Sequence, residues 1–327
     1  MTLLITRRDI ASLLDMRTCI DAVEDALRTH ADPATFSQGV LGTHVDAGGF
    51  HVKTAATNGR LNFYVAKINA NFPGNPRQWD LPTVQGVLIL FDTTNGTPLA
   101  IMDSMEITTL RTAAASAVAA KHLSRTDSRT LAIIGCGVQG RSHLFALTAV
   151  RSFKRVLVHD SDSRRGEAFA CELSIAIGID MESVASPSEA ARVSDVVVTC
   201  TPGHNQILSE GDLRPGTFLA AVGADSDSKR ELHPGLLASS AVIADSIEQC
   251  AAIGELHHAL SADLMSRSDV RAELGQVVSG ARQGRLSEKE TIIYDSTGIA
   301  LQDVAAAAVV YERALAAGMG QRISLSA

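Results

Sequence analysis

The sequence predicts an α/β protein of two domains, one built on a doubly wound parallel sheet and the other an α+β domain, and three observations carry that prediction. From Thr130 onward, short apolar runs alternate with helix-compatible segments, as a parallel sheet with crossover helices requires. Before residue 125 the pattern is different: two helices, several strands joined by turns, then a long Ala-rich helix. A length of 327 residues is enough for two domains, each with its own core.

Residues 6–30 read as two helices, the second with Ile20, Val23 and Leu27 on one stripe behind a candidate cap at Asp15. Residues 50–57, 61–69, 84–92 and 97–103 alternate or run apolar and are expected to be strands, with Asn95 and Gly96 turning between the last two. Residues 71–76, rich in Pro, Gly and Asn, read as a loop, and 104–123 as a helix. After a polar connector at 124–129, strands are expected at 131–134, 155–158, 195–200, 217–222 and 241–244, with a less regular one at 179–184. Residues 270–283 and 299–317 read as helices. The expected domains are 1–124, completed by 305–327, and 125–304.

Composition narrows the function classes. The chain is 46% hydrophobic and 20% charged, the balance of a soluble globular enzyme. A net charge of −7 without a basic cluster argues against a nucleic-acid partner. Cys19, Cys136, Cys171, Cys200 and Cys250 are odd in number, widely spaced and without metal-ligand spacing, so they read as small buried residues in a reducing compartment, and no metal is expected. Arg7, Arg8 and Asp9 stand where a signal peptide would be apolar, and no apolar run approaches the roughly 18 residues of a membrane span. The expected compartment is the cytoplasm.

The most informative stretch is Gly135, Cys136, Gly137, Val138, Gln139, Gly140, directly after the apolar run at 131–134 and opening a helix-like segment at 138–150. Asp160 ends the next strand-like run. That arrangement is a dinucleotide fingerprint on a Rossmann sheet: glycines for the tight turn, the approach of the pyrophosphate and helix–strand packing, a helix N-terminus for phosphate, and a carboxylate for the ribose diol. Asp160 favours NAD, while Arg164 and Arg165 keep NADP open, since either could pair with a 2′-phosphate.

Two cations stand out against their surroundings. Arg111 shares an apolar helix stripe with Ile107, Ala114, Ala115 and Val118, so it either needs an anion, whether a protein carboxylate or a bound one, or reaches past the alanines to water. Lys67 shares a strand face with Leu61, Phe63 and Val65, where it is either an anion site or a snorkelling lysine at the sheet margin. Lys53 alternates with His51 and reads as solvated or as a lesser anion candidate. Thr201, Pro202 and Asp225 follow strands and lie at their carboxyl ends, where open α/β sheets place ligands and where the nicotinamide is expected to stack; Asp225 also reads as an ordinary turn aspartate.

Taken together, residues 66–76 (AKINANFPGNP), 110–116 (LRTAAAS), the Gly135 loop, 222–225 (VGAD) with Lys229 to Glu231, and 298–303 (GIALQD) resemble the ornithine cyclodeaminase/mu-crystallin family in order along nearly the whole chain. The resemblance implies a homodimer formed through the strands of the N-terminal domain. It implies that Lys67 and Arg111 hold a substrate α-carboxylate, that Thr83 lines the same pocket, and that Asp225 is the catalytic carboxylate. It implies NAD(P)-dependent chemistry at a carbon–nitrogen bond: reduction of an imino acid, cyclodeamination of ornithine, amino-acid dehydrogenation, or nucleotide binding without turnover as in a crystallin. The family's cyclodeaminase holds ornithine with an Arg and a Glu upstream of the pocket Lys. Here no Arg lies between Arg28 and Arg60, and Lys53 falls near the Glu position. That departure argues against ornithine and favours an imino acid, with a second cation suited to an anionic side chain.

Overall fold

The computed structural model describes residues 1–32, 36–57 and 62–325. It forms two compact units, Met1–Arg111 with Ile299–Ala327, and Thr112–Gly298. The division falls inside the long helix rather than at the connector that follows it.

The first unit begins with β1 (Thr2–Ile5), α1 (Arg7–Leu13), α2 (Met16–Thr29), β2 (Phe36–Val45), β3 (Gly48–Thr57) and β4 (Phe63–Asn71). It continues with α3 (Asn75–Gln78), β5 (Val84–Asp92), β6 (Pro98–Asp103) and the start of α4 (Ser104–Leu123). Its seven-stranded sheet has the order β15-β1-β6-β5-β4-β3-β2, where β15 (Gln321–Ile323) and α12 (Ala300–Ala317) come from the C-terminal segment. The Asp15 carboxylate accepts from Thr18 N and starts α2, a cap worth about 1 kcal/mol. Along β4 the alternation holds: Val65 and Lys67 are buried on the face that looks into the unit. Leu61, expected on the same face, lies outside the described residues.

The second unit is a parallel sheet with helices between its strands. In chain order it has β7 (Thr130–Ile134), α5 (Val138–Thr148), β8 (Arg155–His159), α6 (Ser163–Ile177), β9 (Asp180–Ser183), α7 (Pro187–Arg192), β10 (Val196–Thr199) and β11 (Phe218–Ala221). There follow α8 (Pro234–Ala238), β12 (Ala241–Ala244), α9 (Ile247–Ile253), α10 (Glu255–Ser261), β13 (Ala272–Glu273), α11 (Leu274–Val278) and β14 (Ile292–Asp295). The order is β13-β12-β14-β11-β10-β7-β8-β9, so the chain reverses direction across the sheet at β7. β7, β10, β11 and β14 are buried almost throughout, as strands covered on both faces must be.

Several expectations need correction. β1, β2, β14 and β15 have no counterpart in the sequence reading. The helix expected over 270–283 is only Leu274–Val278, preceded by β13, because Gly275 weakens it and Gly280 (φ 81°) ends it in a left-handed turn. The loop expected at 71–76 loses Asn71 to β4 and both Asn75 and Pro76 to the single turn of α3. Cys171 is exposed on α6, unlike the other four thiols. No helix among the described residues is long and apolar enough to cross a membrane.

Candidate functional site

In the second unit, the Gly135 loop leaves β7 where the sheet order reverses, the switch point at which doubly wound sheets bind ligands. Gly135 has φ 107°, and a Cβ there would lie 2.9 Å from Cys200 O. A Cβ on Gly140 would lie 2.0 Å from Gly135 O, so neither position admits a side chain. At Gly137 a Cβ would meet nothing within 4 Å, and this residue caps α5 without any side-chain hydrogen bond. Among the described residues the first-turn N–H groups of Val138, Gln139 and Gly140 have no partner outside the helix, and with open space at Gly137 they make a cradle that a pyrophosphate fits. The loop is held by Asp160, whose carboxylate accepts from Cys136 N at 2.9 Å and Asp162 N at 3.0 Å. Arg165 lies 3.7 Å from the Asp160 carboxylate; Arg164 is exposed. Burial, and then Asp160, push the Cys136 thiol up to about 12, so it stays protonated and serves as a small packing residue.

Beyond β10 and β11, one buried side chain gathers two strand ends. Glu231 accepts from Thr201 N at 2.7 Å and from Gly223 N at 2.8 Å. Any Cβ on Gly223 would come within 2.4 Å of that carboxyl group, so glycine there is a condition of the clasp. Burial raises the pKa of Glu231 against the pull of these hydrogen bonds. Glu255 in turn accepts from Glu231 N and Leu232 N, Asp295 from Glu255 N and Leu256 N, and Asp245 from Gly298 N and Thr297 Oγ1. The sequence reading quoted Glu231 without giving it a role. Asp225, on the turn after Gly223, has a half-exposed carboxylate paired at 2.6 Å with Lys229 Nζ.

In the first unit, the two misplaced cations meet. Lys67 Nζ donates to both oxygens of Asp303, at 2.9 and 2.7 Å, and Arg111 Nε donates to Asp303 Oδ1 at 3.0 Å. Arg111 Nη1 also donates to Gln302 Oε1 at 2.9 Å. Lys67 is 3% exposed, Arg111 4%, Gln302 and Asp303 0%, so the group is closed to bulk water. Lys53 on β3 stands directly opposite Lys67 in the antiparallel register and is half-buried. Thr83 is half-buried just before β5, its carbonyl accepting from Phe72 N at 2.7 Å. Burial, and then Arg111, lower Lys67 to about 7 despite the opposing pull of Asp303. For Asp303, Arg111 and Lys67 outweigh burial and hold the carboxylate below its ordinary value.

Two cations therefore share one carboxylate in a buried setting. A buried charge without a counter-charge is costly, so the cluster favours a second anion. The sequence reading quoted Asp303 within 298–303 without giving it a role, although it carries the same signal as Arg111: Ile299, Ala306, Ala307 and Val310 are its helical neighbours, and a carboxylate on that stripe needs a cation. Among the described residues no group of three or more His, Cys, Asp or Glu side chains is placed to hold a metal ion.

This architecture is shared with known proteins. The model of the ornithine cyclodeaminase/mu-crystallin family matches residues 1–318. An archaeal alanine dehydrogenase, solved as a dimer with bound NAD, superposes with a TM-score of 0.94 at 34% identity over 99% of each chain. The Δ1-pyrroline-2-carboxylate reductase of Thermococcus litoralis, solved with NADH and L-proline, gives 0.94 at 30% identity over 98% of this chain and 100% of the other. The iminosuccinate reductase of Paracoccus denitrificans, solved with NAD+, gives 0.92 at 28% identity over 99% of each chain. A family match that runs from the first strand to the last helix, on a fold these structures reproduce, means that the chain belongs to the ornithine cyclodeaminase/mu-crystallin family.

Proposed function

We propose that the protein is an NAD(H)-dependent reductase of α-imino acids, cyclic like 1-pyrroline-2-carboxylate or linear like iminosuccinate, and that it forms the corresponding amino acid. The observation that carries this reading is the buried surplus of positive charge at Lys67 and Arg111 over Asp303. Alanine, pyrroline-2-carboxylate and iminosuccinate, the compounds in the names of the compared enzymes, share an α-carboxylate beside a carbon–nitrogen bond. Such a carboxylate is the anion the cluster calls for.

Lys67 and Arg111 fix the carboxylate and so set the orientation of the imine, with Thr83 lining the same pocket. Lys53, opposite Lys67, adds positive charge beside the site and so disfavours the cationic side chain of ornithine. Gly135, Gly137, Val138, Gln139, Gly140 and Asp160 would hold the dinucleotide, with Thr201 and Pro202 lining the nicotinamide end, and the reduced cofactor would supply hydride for the imine carbon. Asp225 stabilises the iminium and passes a proton at nitrogen, while Lys229 orients its carboxylate. NAD is preferred because Asp160 repels a 2′-phosphate and draws Arg165 to itself. The outer sheet face supports a homodimer: Leu41, Val52, Ile68 and Val87 line up across four strands, and Leu41, Ile68 and Val87 are exposed.

One assay panel tests the reading. NADH consumption is followed with 1-pyrroline-2-carboxylate, with pyruvate plus ammonia or methylamine, and with oxaloacetate plus ammonia, beside ammonia release from ornithine. Turnover of an imine is expected, with NADH preferred to NADPH in kcat/KM. Ammonia release from ornithine without net NADH change would make the protein a cyclodeaminase instead. Tight NADH binding with no turnover on any arm would make it a binding protein.

A further inference from the structure

We infer that the side-chain amide of Gln302 is a further ligand of the substrate carboxylate, donating from Nε2 beside Lys67 and Arg111; the inference rests on the assignment of that cluster as the carboxylate site. Gln302 is fully buried at the start of α12, next to Asp303. Its Oε1 accepts from Arg111 Nη1 at 2.9 Å. That contact fixes the orientation of the amide, because the flipped amide would set an N–H group against the N–H groups of a guanidinium. Nε2 is then left over, and it has no hydrogen-bond partner among the described residues. Buried polar groups are nearly always paired, and an orphan in a native fold asks for an absent partner.

The donors around it define that partner. Two hydrogens of the Lys67 ammonium point at Asp303, and a third remains. Arg111 commits Nε to Asp303 and Nη1 to Gln302, and a guanidinium carries further N–H groups. Among the described residues, the N–H groups left over on Lys67, Arg111 and Gln302 are donors, and the excess charge of the two cations over Asp303 is positive. A planar carboxylate, with two oxygens that each accept more than one hydrogen bond, matches three such donors; an amine or a carbonyl does not. The neutral amide adds a hydrogen bond without adding charge, so binding still depends on the two cations.

Gln302→Glu tests this with a near-isostere. It keeps an oxygen for Arg111 but replaces the Nε2 donor with an oxygen that repels the substrate carboxylate. With 1-pyrroline-2-carboxylate as probe, KM is expected to rise at least 30-fold, with kcat within threefold of wild type and the Kd for NADH unchanged. The KM penalty should shrink as pH falls and the introduced carboxyl is protonated, a response that a merely structural role for the amide would not give. Gln302→Met, which removes both amide contacts, provides a second test if the first variant folds poorly; a KM rise of at least tenfold is expected, with the melting temperature recorded beside it. Lys67→Met and Arg111→Met are run in parallel. If they raise KM and neither Gln302 variant does, the inference is wrong while the carboxylate site stands. If Lys67→Met and Arg111→Met also leave KM unchanged, the site assignment fails and the inference falls with it.

Discussion

The two units bury charge in opposite ways. Around Asp303 two cations converge on one carboxylate, and donor groups are left over. Along the carboxyl edge of the parallel sheet, Glu231, Glu255, Asp295 and Asp245 are buried with no cation among the described residues bonded to any of them, yet each carboxylate accepts hydrogen bonds from backbone N–H groups. The acidic row is closed: its acceptors tie strand ends to loops, and nothing further is required of a ligand. The cationic cluster is open, since its charge and its donors both exceed what the described residues supply. Burial of a charged group therefore does not by itself mark a functional site; an incomplete set of partners does.

The largest effect that could break this contrast comes from the open cluster. Arg111→Met should lower kcat/KM for an imino acid by about 10³-fold, with NADH affinity unchanged, as measured by steady-state kinetics and nucleotide fluorescence. Next is Asp225→Asn, expected to lower kcat by about 10²-fold while NADH binding persists. If either variant stayed near wild type, its assigned role would be wrong. The closed row predicts a different kind of loss. In Glu231→Gln one acceptor becomes a donor facing Thr201 N or Gly223 N, which should cost about 1–3 kcal/mol of stability in denaturant titration.

pH separates the two regions further. Lys67 titrates at about 7, below its ordinary value, so its ammonium is present at lower pH and lost above. kcat/KM for a carboxylate substrate should therefore fall as pH rises through about 7, and Lys67→Arg should move that limb upward. The smallest effect concerns Asp295, pushed up to about 7 chiefly by burial. Between its ordinary value of about 4 and this raised one, the folded state binds more protons than the unfolded state, so stability falls as pH rises across that window. Asp295→Asn should flatten that slope in melting curves recorded from pH 4 to 8.

Much of this could be read from the chain, and what could not has a physical reason. The bounds of α4 and β5 follow from local periodicity, as do the Gly135 turn and the Asp15 cap. Lys67 and Arg111 were legible because each breaks an apolar pattern within a few residues of itself. Asp303 breaks its own apolar stripe in the same way, but its pairing with Lys67 and Arg111 was not legible, since they lie 236 and 192 positions away. β2 was hidden because Phe36–Val45 contains two glycines and is largely exposed, so it lacks alternation. β14 was hidden because it is a four-residue strand whose neighbours, β11 and β12, are distant in sequence. The Glu231 clasp depends on backbone N–H groups at the ends of two separate strands, which no side-chain pattern announces.

The central claim is that the open cationic cluster binds the α-carboxylate of an imine substrate. Its most direct test is the ratio of kcat/KM for 1-pyrroline-2-carboxylate to that for 1-pyrroline, which lacks the carboxylate, in the wild-type protein and in Arg111→Met. The account predicts a wild-type preference of about 10³-fold that collapses to near unity in the variant. A preference that survives the substitution intact would contradict it.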